Sequence, residues 1–170
     1  MSDRSQGETA LVQFNERLTN SAAFGTLFRE GMDLVEETAA YLDGAGRAQA
    51  KALDRSVSLT YATESMRLTT RLMQLASWLL LHRAVKEGEM TLTQANREKT
   101  KVKLSAADPG PEEMIDKLPQ QLQDLIARSI ALQTKVRRLD ATIHAPTTER
   151  APIGNPLVPQ LNRLKAAFEQ

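Results

Sequence analysis

From Ser21 onward the apolar positions recur with helical spacing. Phe24, Phe28, Gly31, Val35, Thr38 and Leu42 are separated by 4, 3, 4, 3 and 4 residues, and Leu27, Leu34 and Tyr41 widen the stripe. The spacing predicts a first helix over about 21–43, with Asn20 or Ser21 as its cap and Gly44 just past its end. Before it, Leu11, Phe14 and Leu18 form a weak helical pattern inside polar sequence, so residues 1–20 are expected to be a flexible arm.

The next strong pattern predicts a helix over about 54–87, opening at Asp54 as N-cap. It carries three apolar directions: Tyr61, Leu68, Leu72, Leu75 and Leu79; then Met66, Met73, Ala76 and Leu80; then Trp78, Leu81 and Val85. Around LMQLASWLLLHRAV, residues 72–85, it is apolar almost all round. Large apolar side chains left in water forfeit roughly 1.5 to 3 kcal/mol each, so such a helix needs cover on more than one side. The run is too short for a bilayer, which needs about 20 apolar residues. Arg71, His82 and Arg83 also bracket it. Two neighbouring helices can cover two directions, which leaves Trp78, Leu81 and Val85 as the expected surface for a dimer mate or another partner.

Thr91 and Gln94 fit a capping box for a short helix over about 92–99, followed by the basic stretch REKTKVK and the breaker DPGP. Pro111, Glu112 and Glu113 can open one helical turn before Pro119 ends it. A third long helix is expected over about 119–144, with the stripe Leu122, Leu125, Ser129, Leu132, Val136, Leu139 and Ile143, thickened by Ile126 and Ile130. Ser129 is the break in that heptad pattern. A helix of about 25 residues runs roughly 37 Å. The fold class is therefore all-α: an elongated three-helix bundle over residues 21–145 with a Pro-rich, largely flexible tail over 146–170. The tail ends in Leu157, Leu161, Leu164 and Phe168 at 4, 3, 4 spacing, a short amphipathic segment that needs a surface to lie on.

Composition agrees with that outline. The 170 residues are 41% hydrophobic but only 4% aromatic, which favours helix over sheet. The absence of Cys excludes disulfides, thiolate metal sites and cysteine nucleophiles. A net charge of +1 gives no global pull towards nucleic acid or anionic lipid. The N-terminal MSDRSQGETA lacks an apolar signal region, so a cytoplasmic location is expected.

The search for a reaction centre yields no catalytic, cofactor-binding or metal-ligating residue. His82 and His144 are the only histidines, and neither sits in a zinc or di-iron spacing. Glu36 and Glu37 point to different faces of one helix, and Glu64 stands three residues before Arg67 as an intrahelical pair. DGAGRA, residues 43–48, lacks the third glycine and the lysine of a phosphate cradle and reads as a turn. The basic stretches Arg97 to Lys103 and Lys135 to Arg138 can touch phosphates. Glu98 and Asp140 sit beside them, however, and no aromatic residue interleaves for base stacking. A helical nucleic-acid-associated regulator is thus the weaker alternative, beside a purely structural homodimeric scaffold.

Three longer strings carry more than periodicity. REGMDLVEETAAYLDGAGR (29–47), YATESMRLTTRLMQLASWLLLHRAV (61–85) and GEMT (88–91) closely resemble the regulator-of-CtrA-degradation family (RcdA) of alphaproteobacteria. The resemblance is strong over residues 24–92 and looser over the third helix. It implies a three-helix bundle, often a homodimer, that serves as a non-enzymatic adaptor for the ClpXP protease. It further implies that the response regulator CpdR primes the protease, that the family member joins it and tethers cargo such as the cell-cycle regulator CtrA, and that PopA adds further cargo. By the same resemblance the tail engages the primed protease, the residues expected to do so being Leu157, Leu161, Leu164 and Phe168. Recruitment to a cell pole with the protease follows from the same source.

Overall fold

A computed structural model of the chain describes residues 3–101 and 112–144, and among them there are six helices and no strand. Three are long: α1 (Asp3–Asp43), α3 (Arg55–Lys86) and α6 (Gln120–His144). Three are short: α2 (Ala45–Lys51), α4 (Leu92–Lys101) and α5 (Glu112–Ile115). The chain divides into two units between Arg137 and Arg138, inside α6. The described part of the second unit is the helical end of α6, where the Thr142 hydroxyl donates to the Arg138 carbonyl at 2.9 Å.

The first helix begins much earlier than the apolar pattern suggests. Residues 3–20, expected as an arm, continue α1 without a break, and Asn20 and Ser21 lie inside it rather than capping it. Helix growth explains the difference. Once residues 21–43 are fixed by packing, each further residue adds one backbone bond without a new nucleation step, and no proline intervenes.

Local chemistry places the other boundaries. Gly44 turns the chain out of α1, its N–H donating to the carbonyls of Ala40 at 3.0 Å and Tyr41 at 3.2 Å. Of DGAGRA, read as a turn, only Gly44 is one: Asp43 ends α1 and Ala45 to Ala48 already belong to α2, where Gly46 lies buried against Tyr41 and Tyr61. Asp54 occupies the N-cap position of α3, but its side chain makes no capping bond; its carbonyl instead accepts from the Ser58 N–H at 2.7 Å. At the far end Gly88 stops α3 with φ +76, a left-handed conformation that costs glycine little. The capping box of α4 is reciprocal: the Gln94 N–H donates to Thr91 Oγ1 at 3.2 Å and the Thr91 N–H to Gln94 Oε1 at 2.9 Å. Pro119 directly precedes α6, where it has no helical N–H to lose, and its carbonyl accepts from Gln123 at 3.1 Å.

Within the first unit the core forms where α1, α3 and the first part of α6 meet. α1 contributes Phe24, Leu27, Leu34, Thr38 and Tyr41; α3 contributes Leu68, Leu72, Leu75, Trp78 and Leu79; α6 contributes Leu122, Leu125, Leu132 and Val136. Gly31 marks the closest approach, since a Cβ there would collide with Leu79 Cδ1 and lie 3.6 Å from Leu132 Cδ2. Its place in the apolar stripe of α1 is thus a packing requirement. Half-exposed ion pairs, Lys135–Glu30 at 2.9 Å and Arg128–Glu37 at 2.7 Å, join α6 to α1 along the rim. Such pairs add at most about 1 kcal/mol each and act mainly on register.

Candidate interaction surface

The three apolar directions of α3 meet different fates. The stripe of Tyr61, Leu68, Leu72, Leu75 and Leu79 is buried, as its regular spacing against α1 and α6 requires. Trp78, expected to face a partner, is 1% exposed and belongs to the core. Its ring lies 6.3 Å from that of Phe24 and stacks on His82 with centroids 3.9 Å apart. Leu81 and Val85 are half-buried. A partner surface centred on Trp78 is therefore corrected: α1 covers that direction with Phe24, and neighbouring Phe28 and Phe24 lie under the Arg83 and Lys86 side chains at 5.0 and 5.3 Å. Lys86 also donates to the Ser21 carbonyl at 3.0 Å, so the end of α3 is tied down to α1.

The direction left open is the remaining one. Leu59, Met66, Met73 and Leu80 are 71%, 72%, 67% and 52% exposed. Ala62, Thr63, Thr69 and Thr70 lie exposed between them. Beside Met73 an apolar groove of about 310 Å³ runs between α1 and α3, lined by Val35, Ala39, Leu42, Leu72, Met73 and Ala76 among others. Neither neighbouring helix reaches over this face. Helical periodicity finds three apolar directions on α3, but the two that become covered are set by where α1 and α6 lie, which is tertiary information.

Inside the bundle sits a polar cluster that periodicity did not anticipate. Glu64, 4% exposed, pairs with Arg67 at 2.6 Å, so the expected intrahelical pair forms with its acid buried. Arg71, also 4% exposed, donates from Nη1 to Ser129 Oγ at 2.7 Å, and Ser129 donates onward to the Ile126 carbonyl at 2.7 Å. Burial pulls the Arg71 guanidinium below its ordinary pKa, the Glu64 carboxylate opposes that, and Arg67 adds to it. The signal in the sequence was Ser129 itself, the polar break in an otherwise apolar heptad stripe.

His82 is buried, with Nδ1 3.0 Å from the Trp78 carbonyl oxygen, the geometry of an Nδ1–H donor on the preceding turn. Among the described residues no group of three or more His, Cys, Asp and Glu side chains is placed to hold a metal ion. None of the described helices is long and apolar enough to cross a membrane. Of the basic stretches, Lys135 is committed to Glu30. Leu157, Leu161, Leu164 and Phe168 lie outside the described residues, as does the whole tail from 146.

Fold and surface together define an all-α bundle that carries an uncovered apolar face on its central long helix. Comparison with known proteins gives this class a family. Residues 15–168 match the family described as "Protein of unknown function (DUF1465)". The crystal structure of RcdA from Caulobacter crescentus CB15 is 52% identical in sequence, with a TM-score of 0.59, over 71% of this chain and 89% of that one. No curated protein matches. The chain belongs to the RcdA (DUF1465) family.

Proposed function

We propose that the protein is a non-enzymatic adaptor in regulated proteolysis. It works as a homodimer that tethers cargo such as CtrA to the ClpXP protease once CpdR has primed it, with PopA supplying further cargo and the assembly gathering at a cell pole. The observation that carries this reading is the 52% identity to RcdA over 89% of that protein. The uncovered face of α3 supports it, because a tether needs surface for partners and no reacting group. Holding cargo and protease on one scaffold converts delivery into an intramolecular step, with an effective concentration of order millimolar for a short flexible link.

The tail carries the protease contact in this reading, through Leu157, Leu161, Leu164 and Phe168. The test is cargo turnover by purified ClpXP and CpdR with the full chain and with residues 1–145 alone. The full chain is expected to accelerate turnover and the truncated chain to lose the acceleration while keeping its helix content. No acceleration by the full chain would overturn the adaptor reading. Equal acceleration by both would overturn the role of the tail.

A further inference from the structure

The open face of α3 and the groove beside it have two unlike walls. On the α3 side, Leu59, Met66, Met73 and Leu80 follow one another at intervals of seven residues, the repeat of a helix–helix seam. The row is about 31 Å long at 1.5 Å per residue, the length of a helix of about six turns. This wall is neutral. Between Ser56 and His82 the charged residues of α3 are Glu64, Arg67 and Arg71: Glu64 and Arg71 are buried, and Arg67 is paired to Glu64. On the α1 side every charged residue from Gly31 to Asp43 is an acid: Asp33, Glu36, Glu37 and Asp43. Glu37 is engaged by Arg128 of α6. Glu36 and Asp43, seven residues apart, share one edge of α1, and Asp43 lines the groove. The Asp43 carboxylate meets Arg47 at 3.8 Å with both side chains largely exposed, a loose pair that another cation can replace.

The groove is also left incomplete by the bundle itself. Thr38, 3% exposed, lies in its wall, and its hydroxyl has no hydrogen-bond partner among the described residues. Thr63 and Thr69 on the open face instead donate to the carbonyls of Leu59 at 3.0 Å and Ser65 at 2.8 Å, so that face can become dry without orphaning a donor. Methionine at its two central positions gives a surface that repacks around guests of different sequence.

We propose that this face is the docking site for an amphipathic helix of another protein. The apolar stripe of the guest lies along Leu59 to Leu80, and a flank of lysine or arginine lies against Glu36 and Asp43. The apolar row supplies the contact, and the acidic edge fixes its direction: the same guest turned end for end would set its cations against Thr63 and Thr70, which carry no charge. The proposal rests on the adaptor reading for the guest being cargo, and its test needs no protease, so the two can fail separately.

The test uses the full chain and fluorescent helical peptides of about 21 residues with leucine and methionine at alternating three- and four-residue spacing. One carries lysines along one flank, one carries glutamate in place of each lysine, and one is the lysine peptide scrambled. In anisotropy titrations the lysine peptide should bind roughly tenfold more tightly than the glutamate peptide, and the scrambled peptide should not bind. Met66→Gln with Met73→Gln should weaken binding by roughly tenfold with unchanged helical circular dichroism, both side chains being exposed. Glu36→Lys with Asp43→Lys should reverse the preference between the two peptides. No binding of the lysine peptide, equal binding of both, or binding indifferent to M66Q with M73Q overturns the proposal. A doubled sedimented mass that falls to one copy in M66Q with M73Q gives the face to a second copy and overturns it. Binding that appears only with residues 1–145 alone gives the face to the chain's own tail and overturns it as well.

Discussion

Two faces of α3 are written in nearly the same alphabet and have opposite fates. The inner face, Leu68, Leu72, Leu75, Trp78 and Leu79, is 4% exposed or less at every position. The outer face, Leu59, Met66, Met73 and Leu80, is at least half exposed. The difference lies in side-chain kind and in neighbours. The inner face uses branched and aromatic groups with few rotamers, which fix one packing, and it meets complementary shape in α1 and α6, down to the missing Cβ of Gly31. The outer face centres on two methionines, whose flexible, polarisable side chains have no single packing to hold them. Apolar content alone does not separate a covered face from an open one.

The contrast can be broken from either side, beginning inside. Leu79→Ala removes a fully buried side chain at the point where the three long helices meet, and should lower stability by about 2 to 5 kcal/mol in denaturant unfolding. A loss below 1 kcal/mol would mean that the inner face is not closely packed. Ser129→Ala leaves the buried Arg71 without its 2.7 Å partner and should cost about 1 to 3 kcal/mol. Adding Arg71→Met should cost less than the sum of the two single changes, because the pair acts as a unit; strict additivity would show that it does not.

Tyr41 tests the rim of the core through pH. Burial, and then Tyr61, push its hydroxyl up from the usual 10 to about 12. A raised pKa means that the folded state holds its proton longer than the unfolded state. The contribution is therefore whole below pH 10 and is lost as pH rises through about 12. Tyr41→Phe removes this titration together with the 2.8 Å bond to Gln49, and should cost about 1 kcal/mol at neutral pH. Its stability should then fall less steeply than that of the wild type above pH 10; parallel curves would remove Tyr41 from the account. The smallest effect belongs to the outer face. Because both side chains are exposed, Met66→Ala with Met73→Ala should change stability by no more than about 0.5 kcal/mol per site.

Much of the fold was legible in the sequence because it follows local rules. The three long helices, the Thr91–Gln94 box and the Pro119 start of α6 come from periodicity, capping and proline geometry. The misreadings have tertiary or cooperative causes. Residues 3–20 join α1 because a packed helix propagates into sequence that would not hold one alone. Trp78 and Met66 exchanged roles because an all-apolar helix leaves open which of its directions a neighbour will cover. Arg71 could not be placed in the core from α3 alone, since its partner Ser129 lies 58 residues away on another helix.

The division of α3 into a covered face and an open face is tested most directly by peroxide footprinting of the six methionines, read residue by residue by mass spectrometry. Met66 and Met73 should oxidise quickly in dilute solution. Half-buried Met32, Met90 and Met114 should oxidise several-fold more slowly. Oxidation of Met66 and Met73 no faster than that of Met32 would contradict the account.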